Sequence, residues 1–425
     1  LVCADEGEGE RLARDLESLT GQRVPVLAPR SYIFHNAATV SRQWEHRRLA
    51  LMRAMAAGEV PLLVAAVEGL LQRTLPPEEL DRAWAELRTG GSYDLNQLAE
   101  TLTAAGYSRC DQVEGVGQFA LRGGILDVYS PGMEQPVRAE FFGDELDAMG
   151  LFDPATQRRT ENVERAVLLP AAEALPHLAP GGTAGLAARL EKLAAGAEKA
   201  GRHELAQTLR QDREALEQGR SFPATDRYLA LIYPQLATAA DYLPPDACVL
   251  FSESSRVGER AKTYQWQLEE DAKSLMERGE LDGSCAVLSR TFPELNARLS
   301  DWPTAYLDSF TLSAYPVPPG CLLSVTAKQL PSFGASLETA VSDLDHYQRS
   351  GLGTLVLVSS EQRALNLQTL LREQGLRAAV EFQPQTLPGP GETLVSVGGL
   401  SAGMEYPEAR LAVLTEGQGA ALKKP

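Results

Sequence analysis

Two short stretches carry the residue types from which chemistry could be built. The first is Ala247-Cys-Val-Leu-Phe-Ser-Glu-Ser-Ser-Arg-Val257, an apolar strand ending in polar residues. In a nucleotide-driven motor such a strand ends in Asp-Glu, the aspartate holding Mg²⁺ and the glutamate orienting the attacking water. Ser252 stands where the aspartate is needed, and Glu253 follows it. A neutral hydroxyl supplies little of the charge that holds Mg²⁺, and Glu253 without a phosphate loop has nothing to activate. The Gly-rich fragments at 351–353, 389–391 and 417–419 complete neither GxGxxG nor GxxxxGK[ST], so they read as turns. Ser252 and Glu253 are therefore a degenerate, non-functional nucleotide motif, and no catalytic residue is assigned.

The second stretch is basic and aromatic. Arg122 precedes Gly123-Gly124, and Arg138 opens Arg-Ala-Glu-Phe-Phe-Gly-Asp-Glu. In a strand over 137–142, Arg138, Glu140 and Phe142 share one face while Val137, Ala139 and Phe141 turn to the other. An aromatic ring among arginines on a polar sheet face has the composition of an interface hot spot. The pattern equally fits arginines paired with Glu140 or Asp144 while Phe142 covers an apolar edge. Other chemistries find no footing. The histidines at 35, 46, 177, 203 and 346 are too far apart to form HxH or HxxxH, so no metal site is expected. GxSxG is absent. The five cysteines, at 3, 110, 248, 285 and 321, form no CxxC and are odd in number. They read as reduced, mostly buried thiols of a cytoplasmic protein.

The elements that must position these residues are legible in outline. The chain has 425 residues, a length that suggests about three domains. Forty Lys+Arg against 57 Asp+Glu leave a net charge of −17, which opposes binding that relies on DNA phosphates. No apolar run is long enough to span a membrane. The first residue is Leu1 and the opening already reads as a strand interior, so the chain is expected to be part of something longer. Strands near 1–4, 24–27 and 60–67 alternate with helices over 10–19 and 47–57, the pattern of a parallel doubly wound sheet. From Asp94 the pattern changes to one capped helix, 94–105, and short strands at 119–121, 125–129, 137–142 and 166–170 broken by glycine turns. A charged helical hairpin follows over 181–219 with a break near Gly201. Strands at 249–251 and 285–288 suggest that the first sheet then resumes. A further α/β unit is read from helices 337–348 and 361–374 and strands 354–358, 378–382, 393–397 and 411–414.

The run from Asp111-Gln-Val-Glu-Gly-Val-Gly-Gln-Phe-Ala-Leu-Arg-Gly-Gly-Ile-Leu-Asp-Val-Tyr-Ser-Pro, through Pro136-Val-Arg-Ala-Glu-Phe-Phe-Gly-Asp-Glu, to Phe152-Asp-Pro-Ala-Thr-Gln-Arg resembles the inserted domain of the excision-repair protein UvrB. It is most similar to the UvrB-homology module of bacterial transcription-repair coupling factors (Mfd). The segments at 47–49, 67–76 and 400–416 resemble other parts of that module. The serine at 252, and a link from Pro29 to Ser41 too short for UvrB's damage-probing hairpin, favour the coupling factor. The family usually has arginine just before Phe-Asp, where this chain has Gly150-Leu151. The resemblance implies a degenerate helicase-like parallel-sheet domain (1–75 and 172–332) interrupted by an α+β UvrA-binding domain (76–171), then a second α/β domain (333–425). It implies that Arg122, Arg138 and Phe142 bind UvrA. RNA polymerase, DNA, ATP and Mg²⁺ are expected to engage other domains of the whole protein, leaving this part non-catalytic and without cofactor. The competing expectation is a UvrB-like nucleotide-dependent enzyme whose phosphate loop lies before Leu1.

Overall fold

The computed structural model describes residues 1–35, 41–220, 222–334 and 336–418. They divide into two compact units, Leu1–Glu6 with Leu27–Val317, and Gly7–Val26 with Pro318–Pro425. The link from Pro29 to Ser41 lies partly outside the described residues.

The first unit is built on a five-stranded sheet in the order Thr304–Leu307, Val249–Ser252, Val2–Cys3, Val64–Ala66, Val26–Leu27. The register pairs Val2 with Phe251 and Ala65, and Val249 with Thr304, all in parallel. Parallel strands need cover on both faces, which explains why these short segments are made of Val, Ala, Cys and Phe. Helix Gln43–Ala56 contributes Leu49, Met52 and Met55, and helix Ser254–Glu277 contributes Val257, Ala261 and Leu275. The hairpin of Gly182–Lys199 and His203–Glu217 turns at Gly201, which adopts φ +71°. The expected resumption of the first sheet after the insertion occurs at Val249–Ser252. The expected strand at 285–288 does not exist. Gly283–Cys285 is a 3₁₀ turn that buries Cys285, and the strand beside Val249–Ser252 is Thr304–Leu307. An apolar run of four fits a buried turn as well as a strand. Nor are the thiols mostly buried: Cys3 and Cys285 are, Cys110 is half-buried, and Cys248 and Cys321 are exposed.

The insertion is an antiparallel sheet with one helix. Asp94 caps helix Leu95–Ala104, its carboxylate accepting from the Asn96 and Gln97 N–H groups, as an N-cap should. The sheet order is Arg159–Asn162, Glu145–Phe152, Val137–Phe142, Ile125–Tyr129, Gln118–Arg122, Ser108–Arg109. One face buries Phe119, Leu126, Val128, Val137, Ala139, Leu146 and Met149 with Leu98 and Leu102 of the helix. The other face carries the charged side chains and a small apolar cluster of Val113, Ala120 and Phe152. A two-stranded ladder, Ala85–Arg88 with Arg165–Leu168, closes the insertion.

Helix Gln43–Ala56 then grips the returning chain. Glu45 accepts the Glu173 N–H at 2.6 Å, His46 Nε2–H donates to the Ala171 carbonyl at 2.9 Å, and Arg48 Nε donates to the Glu173 carboxylate at 3.2 Å. Burial holds the His46 pKa down at about 4, so the ring is neutral and keeps its N–H for that bond. Glu173 also faces Arg30, which pairs with buried Asp226 at 2.7 Å. Four segments far apart in sequence therefore close one buried ion network, each charge compensated as burial requires.

The second unit has a six-stranded sheet in the order Lys328–Leu330, Gly403–Tyr406, Leu411–Thr415, Gly353–Val358, Thr393–Val397, Ala379–Val380. Its central pairings are parallel. Helices Leu337–Arg349 and Glu361–Glu373 flank it, and Gly375 at φ +75° follows the latter as its stop. Helix Glu6–Thr20, expected to pack in the first α/β domain, falls in this unit from Gly7 onward. Asp15 there accepts the Ser401 N–H and hydroxyl, both at 2.6 Å.

Candidate functional site

The basic-aromatic stretch lies on the polar face of the inserted sheet, as alternation requires. Register sets Arg122 opposite Ile125 and Ile125 opposite Glu140, with Asp127 opposite Arg138. Arg122, Arg138, Glu140 and Phe142 thus share one face. Two-residue turns at Gly123-Gly124 and Gly143-Asp144 place Arg122 and Phe142 at the same end of the sheet, and Gly123 and Gly143 adopt the positive φ such hairpins need. The two tips are tightly apposed. Phe141 N–H donates to the Gly124 carbonyl at 2.7 Å, and a Cβ on Gly124 would meet the Phe141 oxygen at 2.7 Å.

Phe142 is 86 % exposed, whereas Phe141 is half-buried on the apolar face, edge-on to Tyr93 with ring centroids 6.2 Å apart. The arginines behave differently from either reading of the pattern. Their common partner is Asp127, a buried carboxylate that accepts from Arg122 Nη2 at 2.9 Å, Arg138 Nε at 2.7 Å and Arg138 Nη2 at 2.8 Å. Neither arginine pairs with Glu140 or Asp144 among the described residues. Asp127 escaped the sequence reading because it sits in the otherwise apolar strand Ile-Leu-Asp-Val-Tyr. The available signal was a lone carboxylate at an outward position between two arginine-bearing strands. Arg138 also lies over the Phe152 ring, 4.6 Å from its centroid, and the hydrogen bonds to Asp127, with the charges of Asp127 and Glu140, raise its pKa further. Arg122 is half-exposed and Arg138 only 21 % exposed.

The degenerate nucleotide motif sits at the carboxyl end of the body sheet, where α/β folds bind ligands. Glu253 holds φ +53° and accepts from the Ser309 N–H at 3.1 Å. Asp308 caps helix Ser254–Glu277, accepting from Ser254 N–H at 2.6 Å and from its hydroxyl. The first N–H at that helix start is thus engaged by a carboxylate. The neighbouring strands end in acid as well: Asp5 and Glu6 follow Val2–Cys3, and Glu68 follows Val64–Ala66. Glu68 pairs with Arg260 at 2.7 Å, and burial, reinforced by Asp5 and Glu6, raises its pKa. The segment following the central strand Val2–Cys3 is acidic too, reading Ala-Asp-Glu-Gly-Glu-Gly. Carboxylates crowd this end of the sheet, whereas a triphosphate is held by N–H donors and cations. Among the described residues no group of three or more His, Cys, Asp or Glu is placed to hold a metal ion.

Comparison with known proteins bears on the inserted sheet first. Residues 85–173 match the UvrB interaction domain. Similarity to transcription-repair-coupling factors extends over nearly the whole chain. It is 28 % identical to that of Bacillus subtilis over 98 % of this chain and 35 % of the relative. It is 28 % identical to the Staphylococcus haemolyticus factor, and 24 % to that of Staphylococcus aureus strain MRSA252, each over 89 % of this chain and 32 % of the relative. The chain thus spans about a third of the length of these relatives. The resemblance read from the motif at 111–131 therefore holds, and with it the parallel-sheet body carrying a UvrB-type insertion. No helix among the described residues is long and apolar enough to cross a membrane.

Proposed function

We propose that this chain is the N-terminal module of a transcription-repair coupling factor, and that its inserted sheet recruits the repair protein UvrA to RNA polymerase stalled at a lesion. The docking residues are Phe142, Arg122 and Arg138. The observation that carries the reading is Phe142, a ring 86 % exposed at a rigid hairpin tip beside guanidinium groups, within a domain that matches the UvrB interaction family. Aromatic and arginine side chains dominate interface hot spots. The module is non-catalytic and takes no cofactor. The acidic carboxyl end of its body sheet supports this and speaks against a UvrB-like nucleotide-dependent enzyme. RNA polymerase, DNA, ATP and Mg²⁺ engage other parts of the whole protein, which works in the cytoplasm. Titration of the purified chain with UvrA tests the proposal. Saturable binding that Phe142→Ala removes is expected; failure of the folded wild-type chain to bind UvrA overturns it.

A further inference from the structure

We infer that Arg159 is a further guanidinium that meets carboxylates of UvrA, beside those of Arg122 and Arg138, and that Gly150 is the notch that lets it lie there. The inference rests on the docking reading above.

Arg138 has few donors left to offer. Its Nε and Nη2 bind Asp127, and Nη1 and Nη2 reach the backbone oxygen and side chain of Gln157 at 3.4 and 3.3 Å. Gln157 is fixed in turn, at φ +60°, donating through Nε2 to the carbonyls of Val113 and Pro154. Arg138 also locks Asp127, and through it Arg122, onto the sheet.

Arg159 is differently placed. It begins the edge strand Arg159–Asn162, its side chain is 35 % exposed, and its hydrogen bond is one from Nη1 to Glu140 at 3.3 Å. Glu140 precedes Phe142 by two positions on the same face, so this guanidinium lies on the face that carries the exposed ring, across the sheet from Arg122. It reaches that place by crossing Gly150, where any Cβ would collide with the Arg159 Nε. The exposed pair with Glu140 is weak and readily exchanged for a partner carboxylate, which the planar fork can hold bidentately. The surface thus fits an apolar pocket with acidic groups on both sides.

The test compares UvrA affinity and melting temperature of the full chain as wild type, Arg159→Ala, Arg159→Glu, Arg138→Ala and Phe142→Ala. Arg159→Ala should melt like wild type and bind roughly tenfold more weakly, as an interface arginine does. Arg159→Glu should bind more weakly still, with the deficit shrinking as salt screens it. Arg138→Ala should lower the melting temperature. Wild-type affinity in both Arg159 variants, with binding lost in Phe142→Ala, overturns the inference and leaves the docking reading standing. Wild-type affinity in Phe142→Ala as well overturns the docking reading itself. A fall in melting temperature on Arg159→Ala also overturns the inference, because it makes Arg159 structural.

Discussion

Phe141 and Phe142 are neighbours in sequence with opposite surroundings, so truncating each to alanine separates folding from docking. Phe142 buries almost nothing in the free chain, and Phe142→Ala should leave the melting temperature where it is. If the ring enters a pocket on UvrA, burying about 100 Å² of apolar surface at ~25 cal/mol/Å² contributes about 2.5 kcal/mol, or roughly sixtyfold in Kd. Phe141 packs on the core formed by Phe119, Leu126 and Leu146 and meets the Tyr93 edge. Because it is only half-buried, Phe141→Ala should cost about 2–3 kcal/mol, below the 3–5 of a fully enclosed phenylalanine. In a domain of roughly a hundred residues that lowers the melting temperature by about 10–20 °C. Calorimetric melting and titration with UvrA read both quantities on the same samples. If Phe142→Ala melts the domain while Phe141→Ala only weakens binding, the assignment of the two faces is wrong.

Replacing Asp127 by Asn leaves Arg138 against a neutral group in a half-buried site, and should cost about 2–3 kcal/mol by denaturant unfolding. Arg122→Ala, which removes an exposed partner, should cost under about 1 kcal/mol; equal losses would refute the central role of Asp127. His46 has its pKa depressed from 6.5 to about 4 in the fold, so the unfolded chain binds the extra proton first. Its contribution is complete above about pH 6.5 and is lost as pH falls toward 4, on the order of 3 kcal/mol in all. His46→Gln should therefore flatten the stability profile over that window, and an unchanged slope would dismiss the group. The purified chain should show no saturable Mg²⁺–ATP binding by calorimetry, and binding that Glu253→Ala abolishes would contradict the reading of the acidic sheet end.

The parts of the fold legible in the sequence were those where one rule dominates. Ile125–Tyr129 and Val137–Phe142 alternate cleanly between glycine turns, and both were read to the residue. Glu145–Phe152 was missed because a bulge between Leu146 and Ala148 breaks its period of two. Arg159–Asn162 was missed because an exposed edge strand of Arg-Thr-Glu-Asn carries no apolar signal. The same blindness hid Arg159 from the candidate site, since its position depends on the missing Cβ of Gly150 on the next strand. Helix Glu6–Thr20 was found, but its partner Ser401 lies 386 residues beyond Asp15, and no local pattern encodes so distant a choice.

The way the insertion interrupts its host also sets a timetable. Every pairing of the inserted sheet is made between residues 108 and 162, while the host sheet must wait for Val2 to meet Phe251 and for Val249 to meet Thr304. At about 5–20 residues per second of synthesis, the inserted sheet is complete several seconds before its host can close. The buried charges of Arg30 and Arg48 stay uncompensated until Glu173 and Asp226 have emerged. On the ribosome, the inserted sheet is finished first, and the body that carries it is assembled around it afterwards.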